Sequence, residues 1–117
     1  MDRKQHPATL AAQALHRTDR ETGAVIAPLH ASTTYLRDEA NQLVGPMDYR
    51  RPEGPTEQHA AEILTALEGG ADARLFSSGL AAAAAVFDTV QPGAMILAQT
   101  QMYYGAKNLL QRLDSDR

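Results

Sequence analysis

Residues 73–98, ARLFSSGLAAAAAVFDTVQPGAMILA, contain the pattern that decides the fold class. Two short apolar runs, residues 73–76 and 94–98, lie on either side of an alanine-rich segment, and turn residues separate the three. The runs have the length of buried strands, and residues 80–90 between them have the length of a helix. Alternating strands and helices are typical of α/β proteins.

The sequence predicts a further helix on each side of this unit. Thr56 is the expected N-cap of the preceding helix, with Glu57 in the first turn, where the helix dipole favours a carboxylate. Gly69-Gly70 supplies its end, and residues 103–113 form the helix that follows the second strand. The apolar face of the preceding helix has members at helical spacing: Ala60, Ile63, Leu64 and Leu67.

Residues 1–54 differ in character from the rest of the chain. They are polar and contain four prolines and three glycines, and their one periodic stretch is a possible short helix at residues 8–16. Irregular segments of this length are uncommon inside a compact domain. We expect an arm, or a long functional loop, that gains order against another surface, and we place the boundary near residue 55.

Composition narrows the function classes. The chain has 117 residues with 44% hydrophobic residues, a length and composition typical of one globular domain. The net charge of −3 disfavours nucleic-acid binding, and the absence of cysteine excludes disulfides, thiolate metal sites and a cysteine nucleophile. The four histidines are scattered, and His59 with Glu62 lacks a second histidine, so no metal site is predicted.

The sequence does not predict a membrane or secretory segment. No apolar run approaches about 18 residues, the length that a membrane-spanning helix needs. Gln13 interrupts the apolar stretch near the N-terminus, and His16-Arg17 stands where a signal peptide has small residues. The expected location is the cytoplasm.

Three places combine residues that suit an anionic or planar ligand. The Ser77-Ser78-Gly79-Leu80 turn at the start of a helix could cradle a phosphate on its backbone N–H groups, or could be an ordinary serine cap. Tyr49 and Arg51 could grip a phosphate, or lie in solvent beside a proline turn. Tyr103 follows the second strand and could stack on a planar ring, or pack in a core or an interface.

Taken in order, these motifs resemble the pyridoxal-phosphate (PLP) enzymes of cysteine and methionine metabolism, which include cystathionine γ-synthase, the cystathionine lyases and methionine γ-lyase. The resemblance covers nearly the whole chain. It rests on the segments TGAVIAPL (22–29), STTY (32–35), YRR (49–51), PT (55–56), ALEGG (66–70), FSSGLAA (76–82), QPG (91–93) and YYG (103–105).

The resemblance implies an α/β fold: the N-terminal part of an aspartate-aminotransferase-like (fold type I) large domain, truncated and preceded by an extended arm. Residues 1–54 would then be the arm, contributing to a neighbouring subunit, and 55–117 the start of the PLP-binding domain. Tyr49 and Arg51 match the pair that holds the cofactor phosphate of the neighbour. Ser78, Gly79 and Leu80 match the phosphate site of their own subunit.

Tyr103 matches the aromatic residue that stacks on the pyridine ring and assists proton or leaving-group steps. The implied activity is β/γ-elimination or γ-replacement on cystathionine and on cysteine- or homoserine-derived amino acids. The implied cofactor is pyridoxal 5'-phosphate, and the implied assembly is a homotetramer built as a dimer of dimers.

The sequence also departs from the family pattern. Gly54 stands where asparagine is usual, Leu80 replaces a common methionine, Tyr104 takes the place of a glycine, and Ala94 replaces an aspartate. The lysines are Lys4 and Lys107, and neither matches the Schiff-base lysine of the family. We therefore expect an N-terminal fragment that is inactive alone. The alternative is an inactive module that only binds phosphate or associates with subunits.

Overall fold

The computed structural model describes residues 5–116, and within that range it contains four α-helices and no β-strand. Helix α1 spans Pro7–Gln13 and continues into a 3₁₀ turn, Ala14–His16. The other helices are α2, Pro55–Glu68, α3, Gly79–Asp88, and α4, Tyr104–Asp116. The ends of all four helices lie within three residues of the ends predicted from the sequence.

The chain divides into two compact units, Met1–Arg74 and Leu75–Arg117. In the first unit, α1 contacts α2. His59 on α2 lies 2.8 Å from the carbonyl oxygen of Ala14 in the 3₁₀ turn, and Arg17 forms an ion pair with Glu62. In the second unit, α3 contacts α4. The boundary predicted near residue 55 separates an arm, which would contribute to a neighbouring subunit, from the rest of the chain. It stays a prediction.

The start of α2 corrects one expectation. Gly54, not Thr56, is the N-cap, with extended dihedral angles, and Pro55 is the first helical residue. Proline suits that position because its missing N–H would be unpaired there anyway. Thr56 is the second residue of the helix, and its hydroxyl accepts a hydrogen bond of 2.9 Å from the His30 backbone N–H. It therefore ties the preceding loop to α2 rather than capping the helix.

The predicted strands at residues 73–76 and 94–98 are not formed as strands. Both segments lack regular secondary structure, and no described segment pairs with either. A strand gains its hydrogen bonds only from a neighbouring strand, so an apolar run of the right length is not sufficient. The predicted turn at Pro92-Gly93, just before the second run, is confirmed. The Ala94 N–H donates to the Gln91 carbonyl at 3.1 Å, and Gly93 has φ 82°.

Residues 33–50 form a nested loop instead of the plain irregular segment that the sequence suggested. Isolated antiparallel bridges pair Thr34 with Tyr49 and Arg37 with Leu43. Arg37 also donates to the Asp48 carboxylate at 2.7 Å. The loop brings Tyr49 back beside Thr34 although fourteen intervening residues separate them along the chain.

Little apolar surface is buried within the described residues. Ala106 is the buried hydrophobic side chain, at 7% exposure, while Leu29 and Met95 are each 85% exposed. Large apolar side chains that face solvent in this number are typical of surfaces that contact another chain. None of the described helices is both long enough and apolar enough to cross a membrane.

The end of α2 depends on a glycine in the left-handed region. Gly69 has φ 66°, and both its N–H and that of Gly70 donate to the Thr65 carbonyl oxygen. We expect Gly69→Ala to lower the free energy of unfolding by about 1 kcal/mol, because an L side chain is disfavoured at this φ. Urea denaturation followed by circular dichroism measures the change.

Gly70→Ala is the matched control for this prediction. A Cβ at Gly70 would meet the Asp72 carbonyl oxygen at 3.6 Å, an ordinary contact, and its φ lies outside the left-handed region. We expect a change of less than about 0.5 kcal/mol there. Equal losses in the two variants would contradict the left-handed cap.

Candidate functional site

The N-terminus of α3 presents two unpaired backbone donors. Ser78 is the N-cap, and its hydroxyl accepts a hydrogen bond of 3.1 Å from the Ala81 N–H. The Ala82 N–H donates to the Ser78 carbonyl at 3.1 Å. The N–H groups of Gly79 and Leu80 have no hydrogen-bond partner among the described residues. The serine is thus a cap, and it leaves two donors at the positive end of the helix dipole.

Tyr103 lies near the first turn of α3, because its ring and the Leu80 side chain both approach Gly105. A Cβ built on Gly105 would lie 2.7 Å from Cε1 of the Tyr103 ring and 3.4 Å from Cδ2 of Leu80. The ring and the leucine side chain therefore both pack against the same glycine. Tyr103 itself is 70% exposed, so one face of the site is open for a planar ring to stack.

Tyr49 and Arg51 contact each other in the first unit. The Arg51 guanidinium carbon lies 5.4 Å from the centroid of the Tyr49 ring, a cation–π distance. Arg51 forms no ion pair within the described range. Its charge is therefore available to an anion, with the Tyr49 hydroxyl as a nearby donor.

Arg50, between them, has a different partner. Its Nε and Nη2 both donate to Oε1 of Glu57, at 2.9 and 2.6 Å. These bonds hold the pKa of Glu57 below its usual value and raise that of Arg50. Because the pKa of Glu57 is lowered on folding, the pair stabilises the fold at neutral pH. The stabilisation is lost only as the pH falls through the lowered pKa.

The structure therefore brings the predicted residues together in two groups. Ser78, Gly79, Leu80 and Tyr103 belong to the second unit, and Tyr49 with Arg51 belongs to the first. Within the described residues, the second-unit group has two unpaired N–H donors and an aromatic ring, and the first-unit group has a guanidinium without an ion pair that packs against a phenol ring.

Two further residues shape these groups. Glu57 fixes Arg50, and Gly105 receives the Tyr103 ring. The sequence showed Glu57 as an acidic residue in the first turn of a helix, but no local signal indicated its partner seven residues earlier. Gly105 belongs to the YYG motif, yet only the structure shows what its missing side chain permits.

Other cavities lie away from these residues. In the second unit, a cavity of about 550 Å³ is formed by the C-terminal part of α3, residues 90–96 and the second half of α4. It contacts neither Ser78 nor Tyr103. The described residues contain no cluster of three side chains that could ligate a metal ion.

Comparison with solved structures defines the class of protein. The crystal structure of metB from Corynebacterium glutamicum matches with a TM-score of 0.84 and 30% sequence identity, covering 96% of this chain and 29% of that one. The chain therefore has the α/β fold of the PLP-dependent fold type I proteins, of which it forms a helix-rich part. The expected fold class is confirmed.

Sequence comparison then defines the family. The profile described as "Cys/Met metabolism PLP-dependent enzyme" matches residues 8–116. The chain belongs to this family, whose members are enzymes, as its motifs indicated.

Curated relatives agree with this assignment. Cystathionine gamma-synthase of Mycobacterium tuberculosis is 38% identical over 108 residues, which are 92% of this chain and 28% of that protein. Cystathionine beta-lyase of Coxiella burnetii is 29% identical over 112 residues, 96% of this chain and 29% of that protein. The chain thus spans a little over a quarter of the length of these relatives.

The donors at α3 suit the phosphate of pyridoxal 5'-phosphate. A phosphate oxygen needs N–H donors, and Gly79 and Leu80 offer two that nothing in the described chain uses. A Cβ at Gly79 would meet no atom of another part of the chain within 4 Å, so this side of the helix start is not crowded. The aromatic ring of Tyr103, which packs with the Leu80 side chain against Gly105, suits the pyridine ring.

Gly105 makes a testable contribution to the position of Tyr103. We expect Gly105→Ala to shift the Tyr103 ring, because the new methyl group would lie 2.7 Å from Cε1 of the ring. Since that ring is mostly exposed and can rotate away, the midpoint of thermal unfolding changes little. Two-dimensional NMR of the tyrosine ring protons measures the shift.

Gly79→Ala serves as the control, because a Cβ there meets nothing within 4 Å. Its Tyr103 resonances should stay where they are in the unsubstituted chain. Unchanged Tyr103 resonances in the Gly105 variant would show that the glycine does not position the ring.

Proposed function

We propose that these residues form the N-terminal part of a PLP-dependent trans-sulfuration enzyme. The observation that carries the proposal is the pair of N–H donors of Gly79 and Leu80 that have no partner among the described residues, in a chain of this family whose Leu80 side chain and Tyr103 ring pack against the same glycine. The relatives named above, a cystathionine gamma-synthase and a cystathionine beta-lyase, support this class of reaction.

The roles of the second unit follow from its donors. The backbone N–H groups of Gly79 and Leu80 bind phosphate oxygens, and Ser78 supports them by capping the helix that presents them. Tyr103 stacks on the pyridine ring, and its phenol can hold or move a proton near the reacting carbon. When bound, pyridoxal 5'-phosphate supplies the electron sink for carbanion chemistry on the amino acid.

The substrate class is amino acids with a leaving group at the β or γ carbon. Cystathionine and cysteine- or homoserine-derived amino acids have this chemistry, and elimination or replacement at those carbons is the proposed reaction. We propose that the Schiff-base lysine, which neither Lys4 nor Lys107 replaces, belongs to a part of the protein outside this sequence. The cytoplasmic location stays a prediction.

Tyr49 and Arg51 act in a neighbouring subunit under this proposal. Their free guanidinium and phenol suit a phosphate, and the exposed apolar side chains of the chain suit contact with further subunits. The proposed assembly is a homotetramer built as a dimer of dimers.

The proposal predicts a specific loss in an arginine variant. We expect Arg51→Ala to weaken pyridoxal 5'-phosphate binding by the whole protein roughly 10-fold to 100-fold, the effect of losing one charge-assisted hydrogen-bonding group. Equilibrium dialysis of the purified protein with the cofactor measures the dissociation constant. Binding of pyridoxal, which lacks the phosphate, should change much less.

Arg20→Ala is the matched control, since Arg20 lies in the same unit, is exposed and forms no ion pair within the described range. It removes the same charge and should leave the dissociation constant within about twofold. Equal weakening of cofactor binding in both variants would mean that Arg51 acts only through its general charge. Unchanged binding in both would contradict the role proposed for Arg51.

The intact mass of the protein in its native source tests the proposed extent of the enzyme. We expect a mass several times the 12.6 kDa of this chain, because the chain spans less than a third of the length of its relatives. Mass spectrometry of the protein captured from its source measures it directly. A native mass of 12.6 kDa would leave only phosphate binding or subunit association as functions.

A further inference from the structure

The Tyr49–Arg51 segment is fixed from two sides. On one side, Tyr49 forms a bridge with Thr34, and the Arg50 N–H donates to the Thr33 carbonyl at 3.0 Å. On the other side, the Arg50 guanidinium reaches Glu57 in the first turn of α2. Both sides hold the middle residue of the segment, between the two side chains that the proposed function needs.

The ion pair lies directly against Gly54, which is buried. A Cβ at this position would overlap the Glu57 carboxylate and would lie 2.9 Å from Cγ of Arg50. The ion pair in this arrangement therefore occupies the space that a side chain at position 54 would take. Gly54 is also the N-cap of α2, so the same residue sets the helix start and the approach of Arg50 to it.

The pair separates the two neighbouring arginines by role. Arg50 donates two hydrogen bonds to one carboxylate oxygen of Glu57, and its side chain is only 30% exposed. Its charge is therefore already neutralised. Arg51 contacts the Tyr49 ring and has no carboxylate partner within the described residues. If Arg50 were released from Glu57, the segment would lose its anchor on α2.

We propose that Glu57 is a positioning residue for phosphate binding by Tyr49 and Arg51. It acts through its ion pair with Arg50, which packs against Gly54. This inference rests on the proposed function of Tyr49 and Arg51. Glu57 touches no ligand: it holds the segment that carries the two ligand-binding side chains.

The experiment compares two variants of α2 in the whole protein, Glu57→Gln and Glu62→Gln. Both remove one carboxylate charge from an ion pair with an arginine, and both lie on the same helix. Equilibrium dialysis with pyridoxal 5'-phosphate and with pyridoxal gives the dissociation constants, and thermal unfolding gives the stability of each variant.

We expect Glu57→Gln to weaken pyridoxal 5'-phosphate binding roughly fivefold, the factor for one hydrogen bond of ordinary net strength. Pyridoxal binding stays unchanged, because it has no phosphate to lose. Glu62→Gln stays within about twofold for both ligands. In the swapped variant, Arg50→Glu with Glu57→Arg, the pair reforms with reversed charges, and phosphate-dependent binding recovers.

The outcomes separate this inference from the proposed function. Loss of binding in Arg51→Ala together with unchanged binding in Glu57→Gln would overturn the positioning role alone. Unchanged binding in Arg51→Ala would overturn the function on which it rests. Equal weakening by Glu57→Gln and Glu62→Gln, or no recovery in the swapped variant, would reduce Glu57 to a general stabiliser of α2. Gly54→Ala gives an independent check, since crowding the pair should weaken phosphate-dependent binding as Glu57→Gln does.

Discussion

The ion pair of Arg50 with Glu57 connects the irregular part of the chain to its helices. Without it, the loop that returns Tyr49 beside Thr34 would be held by two isolated bridges and a few side-chain bonds. With it, the loop ends on the first turn of α2, where the helix dipole also favours the carboxylate. One interaction thus ties the loop to α2 and neutralises Arg50, while the neighbouring Arg51 has no carboxylate partner within the described residues.

Under the proposed function, the second unit would bind the same kind of group by a different physical device. Its donors are backbone N–H groups, which every helix N-terminus has. Ser78 satisfies the Ala81 N–H, and the N–H groups of Gly79 and Leu80 have no partner among the described residues. The Leu80 side chain and the Tyr103 ring both pack against Gly105. The cap, the donors and the ring therefore depend on residues that are close in sequence or packed against one glycine.

The sequence predicted what local patterns determine. Helical periodicity, Pro55 and Gly69-Gly70 located α2, and the Ser-Ser-Gly turn located the start of α3. It failed where a partner distant in sequence decides: the apolar runs at 73–76 and 94–98 find no strand to pair with in the described part of the chain, and Thr56 bonds to His30 rather than to its own helix. The partner of Glu57 was equally hidden, because the sequence indicates a proline turn here but not that Arg50, at the start of the turn over residues 50–52, reaches Glu57.

Charge explains why an unpaired arginine matters to the phosphate binding proposed for the first unit. A phosphate monoester carries a charge of about −1.5 to −2 at neutral pH. The chain has a net charge of −3, so its general field does not attract such an anion. Arg50 is paired with Glu57, whereas Arg51 has no carboxylate partner within the described residues. The proposed binding by Tyr49 and Arg51 therefore depends on a division of roles between two neighbouring arginines, which the single carboxylate of Glu57 sets.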